Sequence, residues 1–315
     1  MAAETRRCPR RRWGKTELTI PVIPFGAQGF GDHFGKVTDE EAMALIRSAV
    51  DLGVNHFDCA RCYGNSLGKL GRAVREGVVR RDEILVSGRL CCHSSAPWGY
   101  YGGDGPPDYT AARAVADIED QLSLLGIGYF DVVFVHDPPE VGPTLAAGGC
   151  LEGLESLRDR GLIRFLGYGM RPHDAHLEVI ASGRTQALLC FSDYNLLRQS
   201  AADRVLPAAA AADLGVLNGW SIMRGMLTGR PVEEVVARDR WLPQSDGERA
   251  DRMRSWCRER GLNLLEMALH FCLAEGRIHG HPLGNLNLSQ LEANVAAVLS
   301  PPPAGMLEEF VAQRF

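Results

Sequence analysis

No run of apolar residues approaches the ~18 needed to cross a bilayer as a helix, so no membrane span is expected. Nor is there an excess of basic residues. The 34 lysines and arginines are outnumbered by 39 aspartates and glutamates, a formal net charge of −5. That leaves no electrostatic footprint for nucleic acid. Linker-like and low-complexity stretches are missing too. A single domain over 1–315 is therefore expected. The basic cluster at 6–12 is followed by no apolar segment of the kind a secretory signal carries. Residues 1–12 are expected to form a flexible N-terminus, and the protein to be cytoplasmic.

Cysteine is not scarce. The chain has 9, and without a secretory signal they point to a reducing compartment and free thiols. Cys59-Ala-Arg-Cys62 has CxxC spacing, and Cys91-Cys92-His93 follows another strand end. Together they contain the makings of a zinc set. No second CxxC supports that reading, and small thiols fill buried space well. No metal is expected.

Hydrophobic residues make up 45% of the chain, and their pattern alternates between strand and helix. Val22–Phe25 runs into GAQGFG. Thr38 and Glu41 form a capping-box start, after which Ala42, Leu45, Ile46, Ala49 and Val50 fall at helical spacing. Gly53 stops that helix, and VNHFD follows as a strand. Further strands are expected at 84–87, 132–135, 164–167, 187–191, 216–220 and 279–283, with helices between them. Eight strand–helix units close into a (β/α)8 TIM barrel, an α/β fold. A tail with Leu307 and Phe310 packs back over the barrel. Residues 91–109, rich in glycine, proline and aromatics, form a long mouth loop of the kind that covers a substrate.

Barrel enzymes place their chemistry at strand C-termini. Asp58 and Tyr63 follow one such end and His136 another. An acid, a phenol and an imidazole there are proton-transfer parts. His93, Trp98 and Tyr101 in the mouth loop, with Arg171 and His173 after the fifth strand, are candidate substrate contacts. His279 and His281 are read as packing residues.

The segments DLGVNHFDCARCYGNSLGKLGRAV, VFVHDPPE, LRDRGLIRFLGYG, DYNLL, WSIMRGMLTG and LGNLNLSQLEANV together resemble the aldo-keto reductase superfamily. Within it the chain is similar to the L-galactose dehydrogenase and aldose dehydrogenase group, over nearly its whole length. The resemblance implies an oxidoreductase acting on a sugar-like or other small carbonyl or hydroxyl substrate, with Tyr63 as general acid/base. It implies catalytic roles for Asp58, Tyr63 and His136. Arg89 stands where the family has lysine. A phenol of pKa ~10 is a poor acid at neutral pH, and a nearby cation lowers that value. Arginine keeps the charge but differs in reach, shape and hydration.

The resemblance also implies NAD or NADP. The residues to hold it are Gly26, Asp58, Gly169, Met170, Phe191, Trp220, Ser221, Ile222, Met223, Arg224, Gly225, Leu227, Gly284, Gln290 and Asn294. Here Gly169-Met170 replaces a Ser-Asn pair, Phe191 replaces a glutamine and Ile222 a proline. Leu286 and Gln290 stand where basic groups often meet a 2′-phosphate, so NAD is favoured. These departures keep two other readings open: a redox-neutral dehydration, isomerisation or cyclisation on the same scaffold, and a non-catalytic binding subunit.

Overall fold

The structure, a computed structural model, describes residues 7–32, 35–91, 107–238 and 242–315. Two short strands, β1 (Arg10–Arg12) and β2 (Thr19–Pro21), pair antiparallel. Eight more make one parallel sheet. They are β3 (Phe25–Gly26), β4 (His56–Asp58), β5 (Leu85–Leu90), β6 (Phe130–His136), β7 (Ile163–Gly169), β8 (Ala187–Phe191), β9 (Gly215–Gly219) and β10 (Leu283–Gly284). Their order is β10-β3-β4-β5-β6-β7-β8-β9. The ring closes where Leu217 of β9 bridges Gly280, with Asn218 N donating to Gly280 O and His279 N to Val216 O. The expected TIM barrel is thus present.

Strand alternation sorts the core into two layers. Val132 and Phe134 of β6, Ala187 and Leu189 of β8 and Leu217 of β9 share one buried cluster. Their neighbours Val133, Val135, Leu188, Cys190 and Val216 belong to a second, larger cluster with the surrounding helices. Period-2 side-chain direction produces this division: one set fills the barrel, the next faces outward. Gly167 lets the interior close, because a Cβ there would fall 2.7 Å from the Phe134 ring.

The β1–β2 hairpin plugs the end opposite the chemistry. Trp13, Leu18 and Ile20 join the interior cluster, and Trp13 is fully buried. Truncating such a side chain to alanine costs about 3–5 kcal/mol. The expectation of a flexible start over 1–12 is therefore corrected for 10–12, which are strand. Cys8 beside them is buried. The sequence signal was obscured because three consecutive arginines read as a solvated cluster. Instead Arg11 donates to Ile278 O and Leu273 O, and Arg12 pairs with Glu17 and Asp213.

The helix Asp39–Asp51 starts on the expected capping box: Glu41 N donates to Thr38 Oγ1 and Thr38 N to Glu41 Oε2. The C-terminal helix Met306–Ala312 packs Phe310 against Trp256 at 5.3 Å between ring centroids, as the tail pattern suggested. Strand β5 extends to Leu90, further than the apolar run indicated, so Arg89 is a strand residue.

Candidate active site

Strand register gathers the polar residues. Asp58 lies opposite Ser87, and Arg89 is two residues further along β5, on the same face as Ser87. Asp58 accepts from Ser87 Oγ at 2.9 Å and from Arg89 Nη2 at 2.5 Å. Because the Ser87 hydrogen goes to Asp58, its oxygen accepts from His56 Nε2 at 3.0 Å. That contact assigns His56 the Nε2–H tautomer. Burial pushes His56 down to about 4, although Asp58 pulls the other way, so the ring is neutral. A chain from His56 through Ser87 thus ends on an ion pair, Asp58 with Arg89, both less than 5% exposed.

Burial also opposes the Arg89 charge. Asp58, then Tyr63, outweigh it and hold the guanidinium above its ordinary value. Tyr63 leaves the loop after β4, half-buried. Arg89 Cζ lies 5.4 Å from its ring centroid, within cation–π range. The His136 ring stands edge-on to Tyr63, 6.4 Å between centroids. Its Nδ1 faces Cys62 Sγ at 3.7 Å and its Nε2 faces Asp137 Oδ2 at 3.4 Å. Gly169, at the end of β7, opens space for the guanidinium: a Cβ there would sit 3.1 Å from Arg89 Nη1.

A buried clamp supports these groups from the helix Ala111–Leu125. Asp117 accepts from Arg61 Nε, Cys91 N and Gln121 Nε2, while Gln121 Nε2 also reaches Arg89 O at 2.9 Å. Burial raises the Asp117 carboxyl, against the pull of Cys91 N–H and Arg61. Tyr109 OH donates to His136 O at 2.6 Å and ties the far end of the mouth loop to β6.

The four expected catalytic residues, Asp58, Tyr63, Arg89 and His136, therefore converge. Sequence reasoning did not single out His56, Ser87 or Asp117. The signal for the first two was there, since His56 and Asp58, like Ser87 and Arg89, are spaced by two on adjacent strands. Asp117 carried none, because one acid in an amphipathic helix reads as a surface group.

The remaining candidates line the same rim. Gly26 pairs with Asp58 on one side and Gly284 on the other. Met170 is buried after β7. The Phe191 ring lies 5.5 Å from Trp220, and Arg224 Cζ lies 5.0 Å over the Trp220 ring. Trp220, Met223, Arg224 and Gly225 all have left-handed backbone, φ 61, 46, 55 and 101. Three of the four are not glycine, a strain that functional turns retain, and such turns aim N–H groups at anions. Ser221 Oγ is buried with no hydrogen-bond partner among the described residues. This turn fits the pyrophosphate of a dinucleotide. Met223 and Leu227 are buried beneath it, and Ile222 is partly buried against both core clusters.

Other candidates are tied to neighbours. Gln290 Oε1 accepts from Leu286 N at 2.9 Å, and Asn294 Nδ2 donates to Asn285 Oδ1 at 2.7 Å. Arg171 and His173 both meet Asp193, at 3.2 and 3.1 Å. His279 Nδ1 accepts from Val216 N, and His281 Nδ1 contacts Asn218 Nδ2, consistent with packing roles. His93, Trp98 and Tyr101 lie outside the described residues.

Comparison with known proteins agrees with this architecture. A family model described as Aldo/keto reductase family matches residues 22–311. The chain is 26% identical to an L-galactose dehydrogenase of Arabidopsis thaliana, covering 96% of this chain and 92% of that protein. It is 27% identical to a D-threo-aldose 1-dehydrogenase of a Pseudomonas species, covering 94% and 95%. Its fold is similar to that of a solved aldo-keto reductase from Bacillus halodurans in its holo form. The TM-score is 0.78 at 21% identity, covering 98% of this chain and 96% of that one.

Proposed function

The chain belongs to the aldo/keto reductase family, and on that premise we propose that it is a nicotinamide-dependent oxidoreductase of a sugar-like or other small carbonyl or hydroxyl substrate. The family generally uses NAD(P)(H). When bound, the nicotinamide supplies or accepts hydride at the substrate carbon. The chain's own residues handle the proton. Tyr63 gives its phenolic proton to the substrate oxygen in reduction and takes it back in oxidation. Arg89 favours the phenolate by Coulomb attraction in a buried setting. Asp58 fixes the guanidinium, and Ser87 and His56 fix Asp58. His136 orients the substrate oxygen.

The observation that carries this reading is the buried Asp58–Arg89 pair under the Tyr63 ring. A cation at that depth has its field little screened by water, and the phenol is the acid it faces. Trp220, Ser221, Ile222, Met223, Arg224 and Gly225 would hold the pyrophosphate. Gly26, Asp58, Gly169, Met170 and Phe191 would border the nicotinamide end, Leu227 would support the pyrophosphate turn from beneath, and Gly284, Gln290 and Asn294 would border the adenosine end. Neither Leu286 nor Gln290 offers a cation to a 2′-phosphate, which favours NAD. A redox-neutral step is the second reading. Arg89 in place of lysine and the Gly169 that accommodates it favour that reading, because they alter the proton donor's support.

Fluorescence titration with NADH and NADPH, followed by a panel of aldoses and aldehydes, separates the two. Micromolar binding with turnover supports the dehydrogenase. A folded protein that binds neither nucleotide contradicts it.

A further inference from the structure

We propose that Cys62, Cys91 and His136 hold a thiophilic divalent cation of the zinc class at the mouth of the barrel. The three residues come from three different strand ends: the loop after β4, the residue after β5 and the last residue of β6. All are buried, and their ligand atoms lie within 4.8 Å of one another. Cys62 Sγ and His136 Nδ1 are 3.7 Å apart. In a tetrahedral site with Zn–S of about 2.3 Å and Zn–N of about 2.0 Å, that edge is about 3.5 Å. The remaining edges, at most 4.8 Å, close to tetrahedral lengths by side-chain rotation of up to about 1 Å.

The surroundings suit a metal. Asp137 Oδ2 stands 3.4 Å from His136 Nε2, on the side away from Cys62. A carboxylate on that side favours the proton on Nε2 and so the tautomer that presents Nδ1 as a lone pair. Cys91 is held by its own N–H on Asp117, which Arg61 and Gln121 clamp in turn. Two thiolates balance the double charge of the ion, and Asp58 balances Arg89. Thiolate and imidazole together select zinc over magnesium or calcium. Among the described residues three ligands are offered, and zinc takes a fourth to complete its tetrahedron. Tyr63 packs against the cluster of Ala60, Cys62 and Cys91.

The pairing differs from the one CxxC spacing suggests. Cys59 belongs to the helix-facing core, with Sγ towards Phe57 O. Its place is taken by Cys91 from the next strand. The site also departs from the expectation that no metal is present. With the ion bound both His136 nitrogens are engaged and the ring cannot also orient a substrate oxygen, so the metal-loaded form is distinct from the proposed dehydrogenase. The site does not depend on that reading, because ion binding is measured without turnover.

The test is cobalt titration of the reduced, chelator-treated full chain under anaerobic conditions. One equivalent of Co2+ is expected to give sulfur-to-cobalt charge-transfer absorbance and the intense visible bands of tetrahedral cobalt, both abolished by Zn2+. Cys62→Ser and Cys91→Ser should each weaken binding by more than about tenfold, whereas Cys257→Ser, at a buried thiol elsewhere, should not. A folded wild-type protein that binds no cobalt, or binds it without the sulfur band, overturns the proposal whatever the variants do. So does a sulfur band that survives unchanged in both folded serine variants.

Discussion

Replacing Asp58 by leucine removes the partner of a guanidinium that is only 4% exposed. Arginine cannot shed its proton to escape, so the variant keeps an uncompensated buried charge. Breaking such a pair destabilises a protein by about 3–5 kcal/mol, a large share of the ~5–15 kcal/mol that holds a domain folded. Arg89→Met is expected to cause a comparable loss, because among the described residues Asp58 then retains only Ser87 as side-chain donor. The double variant Asp58→Leu, Arg89→Met removes both charges and leaves the Ser87 hydroxyl without its acceptor, a penalty of about 1–3 kcal/mol. The two single losses should therefore exceed the double loss, with a coupling of at least about 3 kcal/mol. Urea unfolding of all four proteins, followed by tryptophan fluorescence and circular dichroism together, measures the cycle. Single losses below about 1 kcal/mol, or additive losses, would refute the claim that this is a desolvated pair.

Gly169→Ala brings a Cβ within 3.1 Å of Arg89 Nη1. It should lower turnover with little change in overall stability, and Gly169→Val should lower it further; equal kcat in wild type and Gly169→Val would show that the guanidinium needs no such space. Three buried histidines should make the fold acid-sensitive. Burial puts His56 and His176 at about 4 and His281 at about 3, against ~6.5 when unfolded. The unfolded chain then binds more protons as pH falls from ~6.5 towards 4. Stability is full above that window and is lost within it, by up to about 1.4 kcal/mol per pH unit per histidine. Urea midpoints that stay level from pH 7.5 to 5 would contradict this. Arg89→Lys should bind nucleotide as wild type does but shift the pH profile of kcat, since lysine is a shorter point charge; an unshifted profile would mean that Arg89 does not tune the proton donor.

The barrel was legible because its signals are local. Strands buried on both faces read as β-branched runs, and capped amphipathic helices separate them, so the unit count followed directly. Asp58, Tyr63 and His136 were legible because strand ends are identifiable and those residue types are unusual there. What escaped depended on register and on distant partners. Ser87 becomes a site residue only when β5 is aligned with β4. Gly169 gains its meaning from the guanidinium across the barrel. Cys62 meets Cys91 and not Cys59 because the chain turns between them. The arginines at 10–12 looked like a frayed start because several of their acceptors, Asp213, Leu273 and Ile278, lie more than 200 residues away in sequence.

The central claim is that the Tyr63 hydroxyl, beside Arg89, carries the proton in a nicotinamide-dependent reaction. Steady-state oxidation of an aldose panel with NAD, comparing wild type with Tyr63→Phe, tests it most directly. Turnover in the wild type, and a fall in kcat of about 10²–10⁴ in the variant with NADH affinity unchanged, is the result expected. A Tyr63→Phe protein that turns over as fast as wild type would contradict it.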